Sequence, residues 1–357
     1  MRTHKISRLK KLTAVALAAL MAGVLALTGC AAPAANQSSA SSSASASSSG
    51  AAEADAKAAM AEADALRIGS LKGPTSIGLA SMMMEGQGIF TVAATADEIA
   101  PKLLQDELDI VLVPANLAAT LYQKTDGNVR VLDVNTLGVL YAVTMASDVT
   151  SVADLRGRTV YMTGKGTVPE YTVRALLEAS DVALSEVDIQ FRSEPAEVAA
   201  LIAQDNEAVG ILPQPYVTAA TLQNDALKSV IDLTSAWEEA TGGTRGSLIT
   251  GVTIAKASTV ENKAAGIAEF VRRHAASTNV ANDDPATIAD EVVELGIVGN
   301  AQIAQKAIPA CNVVCLTNQY LINALSGYLE TLYEQDPASI GGALPGPDFY
   351  YYEKPGA

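Results

Sequence analysis

The sequence predicts an α/β protein of two small lobes in series, each a mostly parallel sheet flanked by helices, with a helical C-terminal part. Three observations carry this. Short apolar runs alternate with helix-length segments from Leu66 onward, the alternation restarts after residue 150, and the stretch from about Val260 to Asn312 holds helical segments with no strand among them. The chain has 357 residues, 49% hydrophobic and 18% charged, which is ample for a core and too apolar for disorder throughout.

The elements follow in order. Arg2 to Lys11 is a basic segment, and Leu12 to Thr28 is almost wholly apolar, which together form a secretory signal too short for a membrane span. Residues 31–52 contain only Ala, Ser, Asn, Gln, Pro and Gly, a composition that buries nothing and reads as a flexible tether. Glu53 to Ala65 lacks an apolar face and is assigned to the same linker, so the folded body begins near Leu66. Strands are expected at Leu66–Leu71, Phe90–Ala94, Leu108–Val113, Val129–Val134 and Leu140–Thr144. Helices are expected at Ile77–Glu85, Ala96–Asp106 and Asn116–Lys124. The second series has strands at Thr159–Thr163, Val187–Arg192, Ala208–Leu212 and Ser229–Leu233, with helices at Pro169–Ser180, Pro195–Gln204 and Tyr216–Asn224. Leu248–Ala255 then reads as a strand leading back.

Strand-to-helix junctions of such sheets are where ligands bind, because helix starts present free N–H groups. Thr75 and Ser76 stand at one junction between Gly73 and Gly78, where they serve equally well as ordinary caps. Asn116 follows the strand ending Val113-Pro114, again a cap by type. Thr163, Gly164 and Thr167 form a flexible hydroxyl-bearing loop before Pro169. That loop is neither a dinucleotide fingerprint, having Pro169 where the third glycine belongs, nor a triphosphate loop, since Gly166 follows Lys165. Gln214 and Tyr216 offer an amide and an aromatic ring at a fourth junction.

Charge and residue inventory exclude several functions. Residues 1–29 hold five bases and no acid; without them 19 bases face 39 acids, a net charge of −20. Such a surface repels phosphate backbones, so nucleic acid is not an expected partner. Two histidines and three cysteines argue against a metal centre of several His or Cys ligands, and no cofactor is expected. Gly-x-Ser-x-Gly is absent, and His274 sits in a basic helix that reads as exposed, leaving Cys311 as the sole basis for a secreted enzyme.

Two resemblances sharpen the reading. Leu27-Thr28-Gly29-Cys30 resembles the bacterial lipoprotein cleavage box, which implies a lipid on Cys30 and anchoring at the extracytoplasmic face of the membrane. The body from Leu66 to Lys354 resembles a solute-binding protein of an ABC importer, of the nitrate, aliphatic-sulfonate and thiamine-pyrimidine-precursor branch. Gly73-Pro74-Thr75-Ser76-Ile77-Gly78, Leu108 to Asn116 and Ser151 to Val160 carry that resemblance. It implies two lobes joined by two crossover strands near Leu140–Thr144 and Leu248–Thr253, with lobe I at 66–142 plus 253–357 and lobe II at 143–252. It also implies a small-molecule solute, a permease with its ATPase as partners, and a monomer. Pyrimidine synthases of this fold use a cysteine-dense motif and a histidine; here only Cys311, Cys315 and His274 are present, so that activity is not expected. Because hydroxyls, amides and tyrosines dominate the loops, the expected solute is small and polar: heteroaromatic, sulfonate-like or zwitterionic.

The C-terminal region completes the reading. Cys311 to Leu316 is β-branched after Pro309, so it is expected to be extended, with free thiols and with Asn312 facing the cleft as a ligand contact. Phe349 to Tyr352 is expected to pack the terminus onto lobe I, and Met82 to Met84 to divide between core and surface rather than bind metal.

Overall fold

A computed structural model describes residues 44–352; the expected signal peptide (1–29), the expected lipidation site Cys30 and the expected tether as far as residue 43 lie outside the described residues. The chain from Gly50 onward forms one compact unit built on two sheets. Eleven strands are described: β1 (Arg67–Leu71), β2 (Ile89–Ala93), β3 (Ile110–Pro114), β4 (Val129–Leu137), β5 (Leu140–Thr144), β6 (Thr159–Met162), β7 (Asp188–Phe191), β8 (Val209–Pro213), β9 (Lys228–Asp232), β10 (Ile249–Lys256) and β11 (Val313–Leu316). The first sheet runs β11-β4-β10-β3-β1-β2 and the second β7-β6-β8-β5-β9. This is the expected two-lobed α/β fold with a helical C-terminal part.

The sheets are mixed. Pairings β1–β2, β1–β3, β6–β7 and β6–β8 are parallel, as helix-connected strands require, whereas β10, β4, β11, β5 and β9 pair antiparallel. The cause is the path between lobes. The chain leaves the first sheet at Leu137 and enters the second at Leu140 with only Gly138 and Val139 between, then returns after Asp232 to enter β10 at Ile249. Strand Leu140–Thr144 therefore lies wholly in the second sheet and Ile249–Lys256 wholly in the first.

Local chemistry accounts for the other elements. Glu98 reaches back to the N–H of Thr95 (2.9 Å) to start helix Ala96–Leu104, and Asp154 does the same for Ser151 (2.9 Å) before a short 3₁₀ turn. Fully buried β3 is an unbroken Ile-Val-Leu-Val run, as a central strand covered on both faces must be. The expected helix Ile77–Glu85 breaks into Pro74–Ile77 and Ala80–Met84 around Gly78. Of its methionines, Met82 is buried and Met84 exposed.

One expectation is corrected at the N-terminal edge. Of residues 53–65, assigned to the linker, all but Ala65 belong to helix Ala44–Asp64. Ala63 is buried in the core beneath the sheet, Glu62 accepts the N–H of Gly266 (2.5 Å), and Asp64 pairs with Arg273 (2.6 Å). Tertiary contacts at one end thus fix a helix whose own sequence has no apolar stripe. Among the described residues, no helix is long and apolar enough to cross a membrane.

Helix Asn318–Gln335 ties the lobes together. Its Tyr328 is buried and meets Trp237 of helix Leu233–Thr241 edge-on at 6.0 Å. The return crossing slides beneath it at Gly246, where a Cβ would stand 2.3 Å from the Ala324 carbonyl oxygen. The tail is fastened to lobe I as expected: Phe349 is buried, Tyr350 bridges Val131, and Tyr122 donates to Asp348 (2.6 Å).

Candidate ligand-binding cleft

Strand register locates the cleft. Thr136 of β4, Gly251 of β10 and Pro114 of β3 lie side by side at the edge of the first sheet from which the chain crosses over. Leu140 of β5 faces Pro213 of β8, and Tyr141 faces Asp232 of β9, at the edge of the second sheet where it arrives. The two edges therefore face each other across Gly138-Val139, and Gln214 donates its N–H to the Val139 carbonyl (3.0 Å) at that seam. Loops 72–76 and 113–116 follow strands β1 and β3 of the first sheet, and 163–167 and 213–216 follow strands β6 and β8 of the second.

Most of the expected contact residues lie along these edges, but several spend their polar atoms internally. Thr75 is buried and donates to the Leu71 carbonyl (3.0 Å). Ser76 is fully buried and donates to Ser70 Oγ and the Leu71 carbonyl (both 2.6 Å), so its hydroxyl is turned into lobe I. Asn116 is not a cap, because Pro114 holds that position; its Nδ2 donates to the Ser339 carbonyl (3.3 Å). Thr167 Oγ1 donates to the Gly164 carbonyl (2.6 Å), closing the loop on itself. Gln214 accepts from Thr218 Oγ1 (2.9 Å), which leaves its Nε2 to donate. Thr163 is half-buried at the rim, and Tyr216 is 40% exposed at the start of its helix. Asn312 takes a left-handed conformation (φ 48°) and donates to the Gly138 carbonyl (2.6 Å), so its amide is spent on the crossing between the sheets and not on the cleft.

The lobe II loop has an electrostatic feature that residue types alone did not reveal. Glu170 is buried, accepts the Gly166 N–H (2.6 Å) with one carboxylate oxygen and pairs with Arg174 (2.5 Å) through the other. The donor that an anion would use is thus already closed by an internal carboxylate. Beside it, Tyr171 donates to Asp336 (2.7 Å); this bond, with burial, pushes the phenol up to about 12. Since Tyr171 belongs to lobe II and Asp336 follows the bridging helix, the bond joins the lobes.

Residues 66–306 match the family described as Menaquinone biosynthesis. The chain belongs to the menaquinone-biosynthesis family. No curated protein matches it. Among solved structures it is similar to an ABC transporter from Parabacteroides distasonis, at 20% identity and a TM-score of 0.69, covering 81% of this chain and 99% of that one. It is also similar to the periplasmic aliphatic sulphonate binding protein SsuA from Escherichia coli (15% identity, TM-score 0.63, 79% and 91% covered). A third is the alkanesulfonate-binding protein SsuA from Xanthomonas axonopodis pv. citri bound to MOPS (12% identity, TM-score 0.58, 81% and 98% covered). These likenesses establish the two-lobed fold that this member of the menaquinone-biosynthesis family shares with the ABC transporter and sulphonate-binding structures.

Behind the cleft, the family member carries a buried polar file that strand patterning only hinted at. Thr136 Oγ1 donates to Asn135 Oδ1 (2.8 Å), Asn135 Nδ2 to Thr253 Oγ1 (3.2 Å), and Thr253 to Asp133 Oδ1 (2.8 Å). Asp133 Oδ2 lies 3.2 Å from His274 Nδ1. The expectation of an exposed His274 is corrected: its ring is fully buried beside Asp133, while Arg272 faces outward and Arg273, itself buried, pairs with Glu269 and Asp64. The available signal was Asp133 and Asn135 at alternate positions of an otherwise apolar strand. At the cleft edge the file is shaped by Gly251, where a Cβ would stand 2.4 Å from Asn135 Oδ1 and 2.7 Å from Thr75 Cγ2.

Cys311 and Cys315 are free thiols, as expected. The local assignment is shorter than expected. Cys311 closes a 3₁₀ turn and the strand starts at Val313, so the two cysteines sit in different packing clusters. Burial pushes the Cys311 thiol up to about 12, which makes it a poor nucleophile.

Proposed function

We propose that the protein is the extracytoplasmic solute-binding lipoprotein of an ABC importer. Lipidated at Cys30 after removal of residues 1–29, it works as a monomer that captures a small polar solute between lobes and delivers it to a permease and its ATPase. The observation that carries this reading is the clamp: two polar strand edges facing each other across a two-residue crossing, closed by contacts such as Tyr171–Asp336 that can form and break. The fold shared with ABC-importer binding proteins supports it. Thr75, Thr163, Gly164, Thr167, Gln214 and Tyr216 are the proposed rim contacts, with Asn135 and Gly251 added from lobe I. Closure of the Gly166 N–H by Glu170 favours a neutral or zwitterionic solute over a bare anion.

The family match over both lobes favours a second reading, in which the cleft takes a compound on the path to menaquinone. One experiment separates the two. The purified body is denatured and its released ligand identified by mass spectrometry, with thermal-shift screening of amines, sulfonates, vitamins and their precursors. A retained transport substrate that raises Tm supports the importer; a quinone precursor that the protein converts on incubation overturns it.

A further inference from the structure

The geometry points to a transition-metal site inside lobe I, formed by Asp133, His274 and Cys315. One ligand atom from each of the three residues lies within 4.8 Å of the others. They come from three separate segments, β4, helix Ala264–Asp283 and β11, so their meeting is a property of the fold. Strand β11 pairs antiparallel with β4, Leu316 opposite Val134, which leaves Cys315 Sγ within reach of the Asp133 carboxylate, and helix Ala264–Asp283 lies over β11.

The donor set fits a divalent cation of borderline softness, zinc, iron(II) or cobalt(II): one imidazole nitrogen, one carboxylate oxygen and one thiolate. With metal–ligand bonds of about 2.0–2.3 Å, tetrahedral donors stand about 3.4–3.6 Å apart. The 3.2 Å between His274 Nδ1 and Asp133 Oδ2 is already close to that, and an adjustment of about an ångström brings in the third donor. Cys315 Sγ has only a long 3.9 Å contact to the Val271 carbonyl holding it elsewhere. On binding, the thiol proton leaves to solvent, and the imidazole carries its one proton on Nε2, so that Nδ1 coordinates as a neutral nitrogen. One thiolate, one carboxylate and one neutral imidazole then exactly balance a 2+ ion, which removes the cost of burying a lone carboxylate.

Two further observations mark the pocket as built for more than packing. Thr253 fixes the other oxygen of Asp133 at 2.8 Å, orienting the carboxylate as an outer-shell partner does. Around the ring, His274 Nε2, Ser277 Oγ and Thr278 Oγ1 are all buried without a hydrogen-bond partner. Gly78 closes this cradle; a Cβ there would stand 2.9 Å from Thr278 Oγ1 and 3.3 Å from His274 Nε2.

The test uses the full mature chain, stripped with a chelator and titrated with cobalt(II). One cobalt per chain is expected, with a thiolate-to-cobalt charge-transfer band in the near ultraviolet and visible d–d bands of tetrahedral intensity. Zinc should displace it and raise Tm. Cys315→Ser should abolish the charge-transfer band and His274→Asn should weaken binding at least tenfold, whereas Cys311→Ala, the other buried thiol, should leave both unchanged. Absence of any band in the wild-type chain, or a band that survives Cys315→Ser, overturns the site.

Discussion

The clamp is tested most directly by cutting the bond between Tyr171 and Asp336. A phenol donating to a carboxylate at 2.7 Å is a charge-assisted hydrogen bond, of the kind that contributes about 1.5–3 kcal/mol where it is half-buried. Its neighbours across the seam are weaker. The Arg245–Glu334 pair is exposed and contributes about 0–1 kcal/mol, and the edge-on Trp237–Tyr328 pair about 0.5–1.5 kcal/mol beyond its burial. Tyr171→Phe removes only the hydroxyl and keeps the packing of the ring, so it should shift the balance toward the open form by about 2 kcal/mol, roughly thirtyfold. Trp237 is 2% exposed in this structure, so acrylamide quenching of its fluorescence reads any opening that uncovers it. The quenching constant should rise in Tyr171→Phe and equally in Asp336→Asn. It should not rise in Tyr122→Phe, which loses a comparable bond to Asp348 on the lobe I tail. Where the free protein rests open, the same loss appears as about thirtyfold weaker solute binding. If quenching and affinity both match the wild type in Tyr171→Phe, the bond does not govern closure and the clamp reasoning fails.

Other expectations follow from single sites. Asp109 is pushed up by burial but held lower still by hydrogen bonds from the Arg67 side chain and backbone and by Lys263, so its carboxyl falls from 3.8 to about 2. Its folded-state value is depressed, so its contribution of about 2 kcal/mol is present above pH 4 and lost as pH falls toward 2. Urea titrations of Asp109→Asn and wild type should therefore differ by about that much at pH 7 and converge near pH 2. Gly251→Val should lose solute binding and destabilise by about 1–3 kcal/mol through the clash with Asn135 and Thr75, as read by thermal shift; unchanged binding would move the solute away from this edge. Cys30→Ser should abolish labelling by a fatty-acid probe, and continued labelling would end the lipoprotein reading.

Much of this molecule was legible in one dimension. The apolar runs of β3 and β8 and their alternation with helices fix the α/β class, because strands buried on both faces are rich in Val, Ile and Leu. The capping carboxylates Glu98 and Asp154 lie three residues from the hydroxyls they serve, so they mark their helix starts locally.

What those residues do was decided only in three dimensions. Ser76, Asn116 and Asn312 have the chemistry of ligand contacts, yet their partners are Leu71, Ser339 and Gly138, two of them 223 and 174 residues away. Glu170 occupies the loop N–H through a side-chain rotamer, which carries no sequence signal beyond an acid in a helix's first turn. Helix Ala44–Asp64 reads as linker until Gly266 and Arg273 receive its last turn, and His274 reads as exposed until Asp133 is set opposite it. Periodicity and composition report which groups a segment offers. Only the packed fold determines which of those groups find each other and which remain for a solute, because a hydrogen bond is satisfied by proximity in space and not by spacing along the chain.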